Sequence, residues 1–596
     1  MRKRFMQLAA AALAFCLSVP SAKAVTTNHS GEIMIRVGLA SSSTHVPTGE
    51  LEAAHLENEY GAGYRFGYYD SNLNFVELGR TSSEIKKAAV LKTENLYYGY
   101  LSTLRKNTYS ASINSDIMVG CWHVQLSGSY SSFETAATAA SGVNGAFVAW
   151  IKGEYQVRVG AYGSKSEAET ALNSLGQGTI VGTSAYGVSI VETGTSRMLF
   201  QYDNGSSTAL AIQPDVTGAK EVQTWFSGYK YRGGFQYQRR TGGNLTVVNI
   251  VTLEDYVNGV ICFEMGREWP LEALKAQAMC ARTYVLKNLN KHNSYGFDIC
   301  PSTGCQVYHG MGDDSDNGPS ETSLQAVAET AGMVVRYNGK LAETPYSSSF
   351  GGASEDAKLV WGTDTDVECP YLRGVEDPYE ADLNDRNPRS PWTVSYTSAQ
   401  LTQQLQKQGM GTGTSVDRLD LTYSKLGNVI QVVVHWANGK SNTISASNIR
   451  KRFGVDAIRF TVNGVGAGST TPPSQSGGNQ DIVINGSTIS GGLDGKYAIS
   501  GSGMVSPPVE KPYIITGTGS VSALETGGNV GGSNGSSSQP TNETVTVSGS
   551  TYTFNGGGFG HQLGMSQFGA NAMARHGFTY DQIISFYYPG VKIEHF

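Results

Sequence analysis

The period of hydrophobic and polar positions changes several times along the chain, and each change marks an element. Residues 1–24 run from a basic "MRKRFMQ" through an apolar "LAAAALAFCLSV" to the small-x-small Ala22-Lys23-Ala24. That order predicts a secretory signal cut after Ala24. "GEIMIRV" (31–37) alternates like a strand. Residues 124–136, "VQLSGSYSSFETA", and 157–171, "VRVGAYGSKSEAETA", repeat one order of strand, Gly-containing turn and small-residue helix, predicting a symmetric α+β module. "FQYQRRTGGNLTVVNIV" (235–251) predicts two strands about a Gly-Gly turn. At "TLEDYVNGVICFEMG" (252–266) the spacing becomes helical: Leu253, Val257, Val260 and Glu264 share a stripe, with Tyr256 and Ile261 beside it. Thr252 with Asp255 forms a capping box and Gly266 a stop. A second helix starts at Pro270, with Leu271, Leu274, Ala278, Ala281 and Val285 as its stripe. A Gly/Ser/Thr/Pro-rich tract beginning at "TVNGVGAGSTTPPSQSGGNQ" then runs to about Asn542, with only strand-like scraps such as "DIVINGSTIS" and "YIITGTG". "TVTVSGSTYTF" (544–554) predicts a hairpin turned at Ser548-Gly549.

Length and charge narrow the class. A chain of 596 residues exceeds one ordinary core, so two to four domains are expected. Lys+Arg total 44 against Asp+Glu 50, a net charge of −6, which leaves no basic footprint for nucleic acid. The fold class expected is α+β and multi-domain. No stretch after the signal is long and apolar enough for a membrane helix. A lipoprotein anchor at Cys16 is disfavoured by the bulky Phe15 before it. Removing the signal leaves Cys121, Cys262, Cys280, Cys300, Cys305 and Cys369, too few to be the framework of a secreted chain this long.

The candidate chemistry centres on "FEMGREWP" (263–270), with Glu264 and Glu268. Glu264 lies on the apolar stripe, where desolvation favours a protonated carboxyl suited to general acid work. Glu268 follows the Gly266 break beside Arg267, in a solvated turn that favours its ionised form. Spacing alone equally allows Glu264 to be a satisfied carboxylate at a helix end. In "GFGHQLGMSQFGA" (558–570), His561, Ser566 and Gln567 sit on a Gly-rich turn leading to a helix, suitable hydroxyl or acetamido partners for a sugar. The glycines alone would equally serve tight packing. A Ser-His hydrolase lacks a Gly-x-Ser-x-Gly elbow and a third member.

The repeat at about 120–192 resembles the SPOR domain, a peptidoglycan-binding module, in its "VQ-GSYSS" and "Y-VRVG-Y-S-EAE-AL" pattern. A generic βαβ repeat without a ligand is the alternative. The block "LEDYVNGVICFEMGREWPLEALKAQAMCARTY" resembles the SpoIID/LytB family, and "DICPSTGCQVYHG", "PYSSSFGGASEDAKLVWGTDTDVECPYLRGVEDP" and the C-terminal "GFGHQLGMSQFGANAMARHGFTYDQIISFYYPGVKI" agree in the family's order. Together they cover residues 245–465 and 545–596. The resemblance implies an exported lytic transglycosylase that cleaves peptide-stripped peptidoglycan glycan strands to 1,6-anhydro-muramic ends, with Glu264 as single acid and base. Many members have Pro where this chain has Gly266. The matched blocks carry Ser347, Ser348 and Ser349 with His561, Ser566 and Gln567 as groove-lining expectations, while Arg282, Gln277 and Tyr308 are expected equally to order the helix pair or to touch substrate. No cofactor is required. Some members hold zinc in a Cys-x-x-x-His-Cys arrangement. Here Cys300 and Cys305 remain, Gly304 stands at the histidine position, and His309 is the substitute expected. Zinc, a Cys300–Cys305 disulfide and free thiols stay open. The expected organisation is a signal at 1–24, a β-rich region at 25–117, a SPOR-like module at 118–194, a catalytic domain at 195–465 completed by 543–596, and a Gly/Ser-rich insertion at 466–542. The expected setting is the extracytoplasmic wall of a Gram-positive cell, with glycan strands as partner. Rival readings are a non-catalytic enhancer of a peptidoglycan amidase, and a hydrolase pairing Glu264 with Glu254, Asp255 or Glu268.

Overall fold

The computed structural model describes residues 26–466 and 542–596, apart from residues 59, 217–221, 316 and 412–413, together with six short strands between 467 and 541. The signal segment and most of the Gly/Ser-rich insertion lie outside the described residues. Two compact units divide the chain. The first takes residues 1–260 and 288–318, and the second takes 261–287 and 319–596.

The first unit is built on two sheets. One has six antiparallel strands in the order Met34–Ala40, Leu245–Thr252, Gly234–Arg239, Leu210–Pro214, Tyr64–Tyr69 and Phe75–Arg80. The hairpin expected at residues 235–251 is in place, with Arg239 opposite Leu245 across the Gly-Gly turn. Val247, Val248, Ile250 and Val251 are all fully buried, so both faces of this strand are covered. The other sheet has ten strands, and one end of it is the repeat module. There, Trp122–Gln125, the helix Phe133–Ser141, Ala146–Ile151, Glu154–Tyr162, the helix Lys165–Leu175 and Thr179–Val181 follow in βαββαβ order. The four strands lie fourth-first-third-second and antiparallel, the split βαβ arrangement. Ser132 and Ser164 cap the two helices at matching positions. The sheet continues past residue 194, because Ala146–Ile151 pairs in parallel with Met198–Asp203. The expected α+β class holds.

The second unit surrounds the helix Leu271–Lys287. The spacing predicts one apolar stripe on it, but the helix is buried nearly all round, Gln277, Arg282 and Thr283 included. Helices Glu321–Glu329, Gln567–Arg575 and Tyr580–Tyr587 and the strand Met333–Tyr337 pack against it on different sides. The hairpin expected at residues 544–554 is not formed. Glu543–Ser548 joins Val416–Tyr423, whereas Thr551–Gly557 lies between Trp392–Thr397 and Arg459–Val462. Alternation identifies both strands, but their partners are distant in sequence. In this way the segments on either side of the insertion close into one unit.

Candidate functional site

Glu264 is the last residue of the helix Leu253–Glu264. Its stripe-mates Val257 and Val260 are fully buried, while Glu264 itself is half-buried. The chain then turns sharply. Met265 donates its N–H to the Ile261 carbonyl, and Trp269 donates to the Gly266 carbonyl, both at 2.9 Å. The turn folds the Trp269 indole over Gly266, where a Cβ would lie 2.4 Å from Trp269 Nε1. Glycine at this position therefore follows from the ring above it. Trp269 in turn meets Phe568 edge-on, with centroids 5.0 Å apart and planes at 70°. This contact ties the turn after Glu264 to the C-terminal Gly-rich motif. Glu268 is exposed, with the Arg267 guanidinium 3.6 Å away, which is the solvated position expected for it.

The C-terminal motif is held by the short parallel pair Tyr346–Ser347 with Met565–Ser566. His561 donates its backbone N–H to Ser347 Oγ at 3.2 Å, and its Nδ1 accepts the Leu563 N–H at 3.2 Å. An accepting Nδ1 is a neutral imidazole. Burial, and then the charge of Arg450, push the His561 pKa down to about 4. His561 also borders a cavity of about 410 Å³ shared with Trp361, Arg450, Lys451 and Asp456. Trp361 is 49% exposed and lies 5.2 Å from the His561 ring. Arg450 Nε has no hydrogen-bond partner among the described residues. An open indole face beside the cationic Arg450 and Lys451 is suited to a sugar carrying an anionic group.

Most of the other residues nominated from sequence are buried and paired within the fold. Ser566 is fully buried and caps the helix Gln567–Arg575, accepting the Gly569 N–H and donating to Glu380. Ser349 Oγ accepts from Asn387 Nδ2 and from the Phe559 N–H. Gln277 and Gln567 are buried, with their amides 3.5 Å apart. Arg282 is fully buried and donates to the carbonyls of Met333 and Val327. Tyr308, in the first unit, donates to Asn249 Oδ1 at 2.7 Å and stacks on Tyr256. Ser348 stays half-buried and accepts the Phe568 N–H through its carbonyl. Of the groups nominated for catalysis or substrate contact, Glu264, Ser348 and His561 keep exposed surface.

Two acids escaped the sequence reading. Glu380 is buried and accepts the N–H groups of Phe350, Gly351 and Gly352, which shapes the Gly-rich loop after the three serines. Asp377, buried beside it, accepts the Tyr587 hydroxyl at 2.5 Å. Burial, and then the Glu380 charge, hold the Asp377 pKa well above the usual carboxylate range. Both acids border a cavity of about 260 Å³. Asp377 lies in the last residues of the matched block ending "GVEDP", but nothing in its spacing set it apart, and Glu380 lies beyond that block.

In the first unit, His292, Cys300 and Cys305 bring three ligand atoms within 4.8 Å of one another. Donors 2.0–2.3 Å from one zinc ion lie within about 4.6 Å of each other, so the group fits that ion with little movement. His292 Nε2 is 3.2 Å from Cys305 Sγ. The Cys305 thiol hydrogen-bonds to Cys300, which pulls the Cys300 pKa down to about 5 and pushes its own up. His309, the substitute expected, is not in this group. It stacks on Tyr229 at 4.4 Å, and His292 takes its place. The reason is the tight turn Asn293–Tyr295 and Gly296 at φ 87°, which folds His292 back onto the cysteine loop. The six cysteines from Cys121 to Cys369 carry free thiols.

Residues 241–337 match the family described as SpoIID, Stage II sporulation protein. The chain is 29% identical over 342 residues to the amidase enhancer of Bacillus subtilis, covering 56% of this chain and 40% of that one. It is 32% identical over 228 residues to an uncharacterised protein of Brachyspira hyodysenteriae, covering 38% and 53% respectively. Against the stage II sporulation protein D of Bacillus subtilis it is 27% identical over 362 residues, covering 59% of this chain and 76% of that one. The chain thus spans about half the length or less of the first two relatives. No helix among the described residues is long and apolar enough to cross a membrane.

Proposed function

We propose that this chain is an exported peptidoglycan lytic transglycosylase acting on peptide-stripped glycan strands. The observation that carries this reading is the setting of Glu264, a half-buried carboxyl ending a helix and bordered by a turn that Trp269 and Phe568 tie to the Gly-rich motif. Glu264 donates its proton to the glycosidic oxygen as the bond to muramic C1 breaks. The resulting carboxylate takes the proton of the muramic 6-hydroxyl as that oxygen bonds to C1. The products are a free 4-hydroxyl and a 1,6-anhydro end, with Glu264 protonated again. No water enters, so no second carboxylate is needed, unlike in a hydrolase.

The cavity beside His561 is the proposed seat of the neighbouring sugar. Trp361 offers the stacking face, neutral His561 a hydrogen bond, and Arg450 with Lys451 a pair for the lactyl carboxylate that stripping the peptide exposes. The βαββαβ module at 118–194 is the proposed glycan-binding, SPOR-like element. His292, Cys300 and Cys305 are the proposed holders of one zinc ion, which supplies a structural cross-link within the first unit.

Digestion of peptide-stripped strands, with the products read by mass, tests the activity. Wild type yields anhydro-muramic ends and Glu264→Gln does not. Reducing ends in place of anhydro ends would indicate a hydrolase. Cleavage by neither protein would favour the second reading, a wall-bound enhancer of an amidase, which the similarity to the Bacillus subtilis amidase enhancer supports.

A further inference from the structure

We propose that His45, 257 positions away from Ser302 in sequence, is the fourth ligand of the metal site formed by His292, Cys300 and Cys305. The inference rests on the zinc reading above and goes further, because a closed structural zinc site wants four protein ligands and the local motif supplies only three.

The geometry around Gly304 carries the argument. A Cβ at Gly304 would lie 3.1 Å from His45 Nδ1 and 3.5 Å from Cys300 Sγ. A side chain at 304 would therefore enter space between the cysteine sulfur and an imidazole that is already there. Position 304 is where a Cys-x-x-x-His-Cys sequence has its histidine, so the ring missing from the motif is replaced, in the same volume, by one from a distant loop. The loop is fastened in place. Ser302 Oγ donates to the His45 carbonyl at 2.7 Å, and Val46 beside it is packed in the core cluster that contains Cys300. The His45 and His292 rings have centroids 5.4 Å apart. The His45 side chain is exposed, so its ring is free to turn its nitrogen toward the cluster. With that turn, residues 45, 292, 300 and 305 would offer one metal ion two thiolates and two imidazoles. Bound metal would then join the N-terminal strand region of the first unit to its 288–318 segment.

The test uses the full chain, reduced and freed of metal, titrated with zinc and, for spectroscopy, with cobalt(II). Wild type takes up one equivalent and gives the intense visible bands of four-coordinate cobalt with two thiolates. His45→Ala keeps the thiolate bands but lowers zinc affinity at least as much as losing an outer-shell partner does, roughly 10- to 100-fold. The discriminating variant is His45→Ala/Gly304→His. With the ring of residue 45 gone, a histidine at 304 has room and restores affinity and the cobalt spectrum. The same Gly304→His change in the wild-type background crowds His45 and gains nothing. Unchanged affinity and spectrum in His45→Ala would overturn the role of His45 while leaving zinc in place. No metal uptake by wild type, with thiol counts showing Cys300 oxidised to Cys305, would overturn the zinc reading itself.

Discussion

Gly266→Ala probes how Glu264, the proposed catalytic carboxyl, is positioned. The glycine is not in the left-handed region, so alanine brings no backbone strain, and by restricting the unfolded chain it gains about 0.4–1 kcal/mol. Against this, its Cβ would stand 2.4 Å from Trp269 Nε1 and 2.6 Å from Cδ1, so the indole must swing off Phe568. That edge-to-face contact contributes about 0.5–1.5 kcal/mol beyond burial. The two effects nearly cancel, and the melting temperature stays within a few degrees of wild type. Cleavage responds differently, because a displacement of about 1 Å in a positioning element costs on the order of 100-fold in rate. Anhydro-product formation from stripped strands should fall by about that factor while thermal unfolding hardly moves. Trp269→Ala removes the obstructing ring, so Gly266→Ala/Trp269→Ala should cleave no worse than Trp269→Ala alone. Independent sites give additive losses, and residues in contact do not. Wild-type cleavage by Gly266→Ala, or additive losses in the double variant, would refute this account of the turn.

Three further outcomes follow from the same unit. Asp377 is held protonated when folded, since its folded pKa exceeds its unfolded one; its contribution is full below about pH 4 and is lost as pH rises toward neutrality. Melting temperature should therefore decline from pH 5 to pH 8, and Asp377→Asn should flatten the decline; an unchanged slope would exclude Asp377 as its source. Ser566→Ala removes a helix cap, about 1 kcal/mol, and strips a donor from buried Glu380, about 1–3 kcal/mol more, so the urea midpoint should drop clearly, and a midpoint equal to wild type would show the cap is replaceable. Trp361→Ala, placed in a Glu264→Gln background to prevent turnover, should weaken calorimetric binding of stripped strands by about 0.5–1.5 kcal/mol, roughly two- to twelvefold; equal affinity would remove the indole from the proposed sugar seat.

What could be read from the chain alone was whatever depends on neighbours in sequence. The helix ending at Glu264, the Gly-Gly hairpin and the twice-repeated strand-helix order are local patterns, and all three are present. The misreadings arose where a distant segment supplies the environment. Residues 544–554 alternate like a hairpin, yet each half pairs with strands over 80 positions away. His309 lies nearer Cys305 in sequence than His292 does, but a turn sends one to Tyr229 and the other to the sulfur. The motif polar residues teach the most specific lesson. By sequence, Ser349, Ser566 and Gln567 are expected to line a groove, and Gln277 and Arg282 either to order the helix pair or to touch substrate; all five are buried and paired within the fold. A polar group inside a fold must be paired, so its partners and the space around them are as constrained as a ligand contact would be. Gly569 illustrates this: a Cβ there would strike the Tyr587 hydroxyl and the Asp377 carboxyl, at 2.0 and 2.1 Å. Gly569 is therefore explained by a buried acid and its tyrosine partner, whereas Gly560 and Gly564 make room for Ser347 and the Pro345 carbonyl, and the surface left beside this frame belongs to Glu264, Ser348, His561 and Trp361.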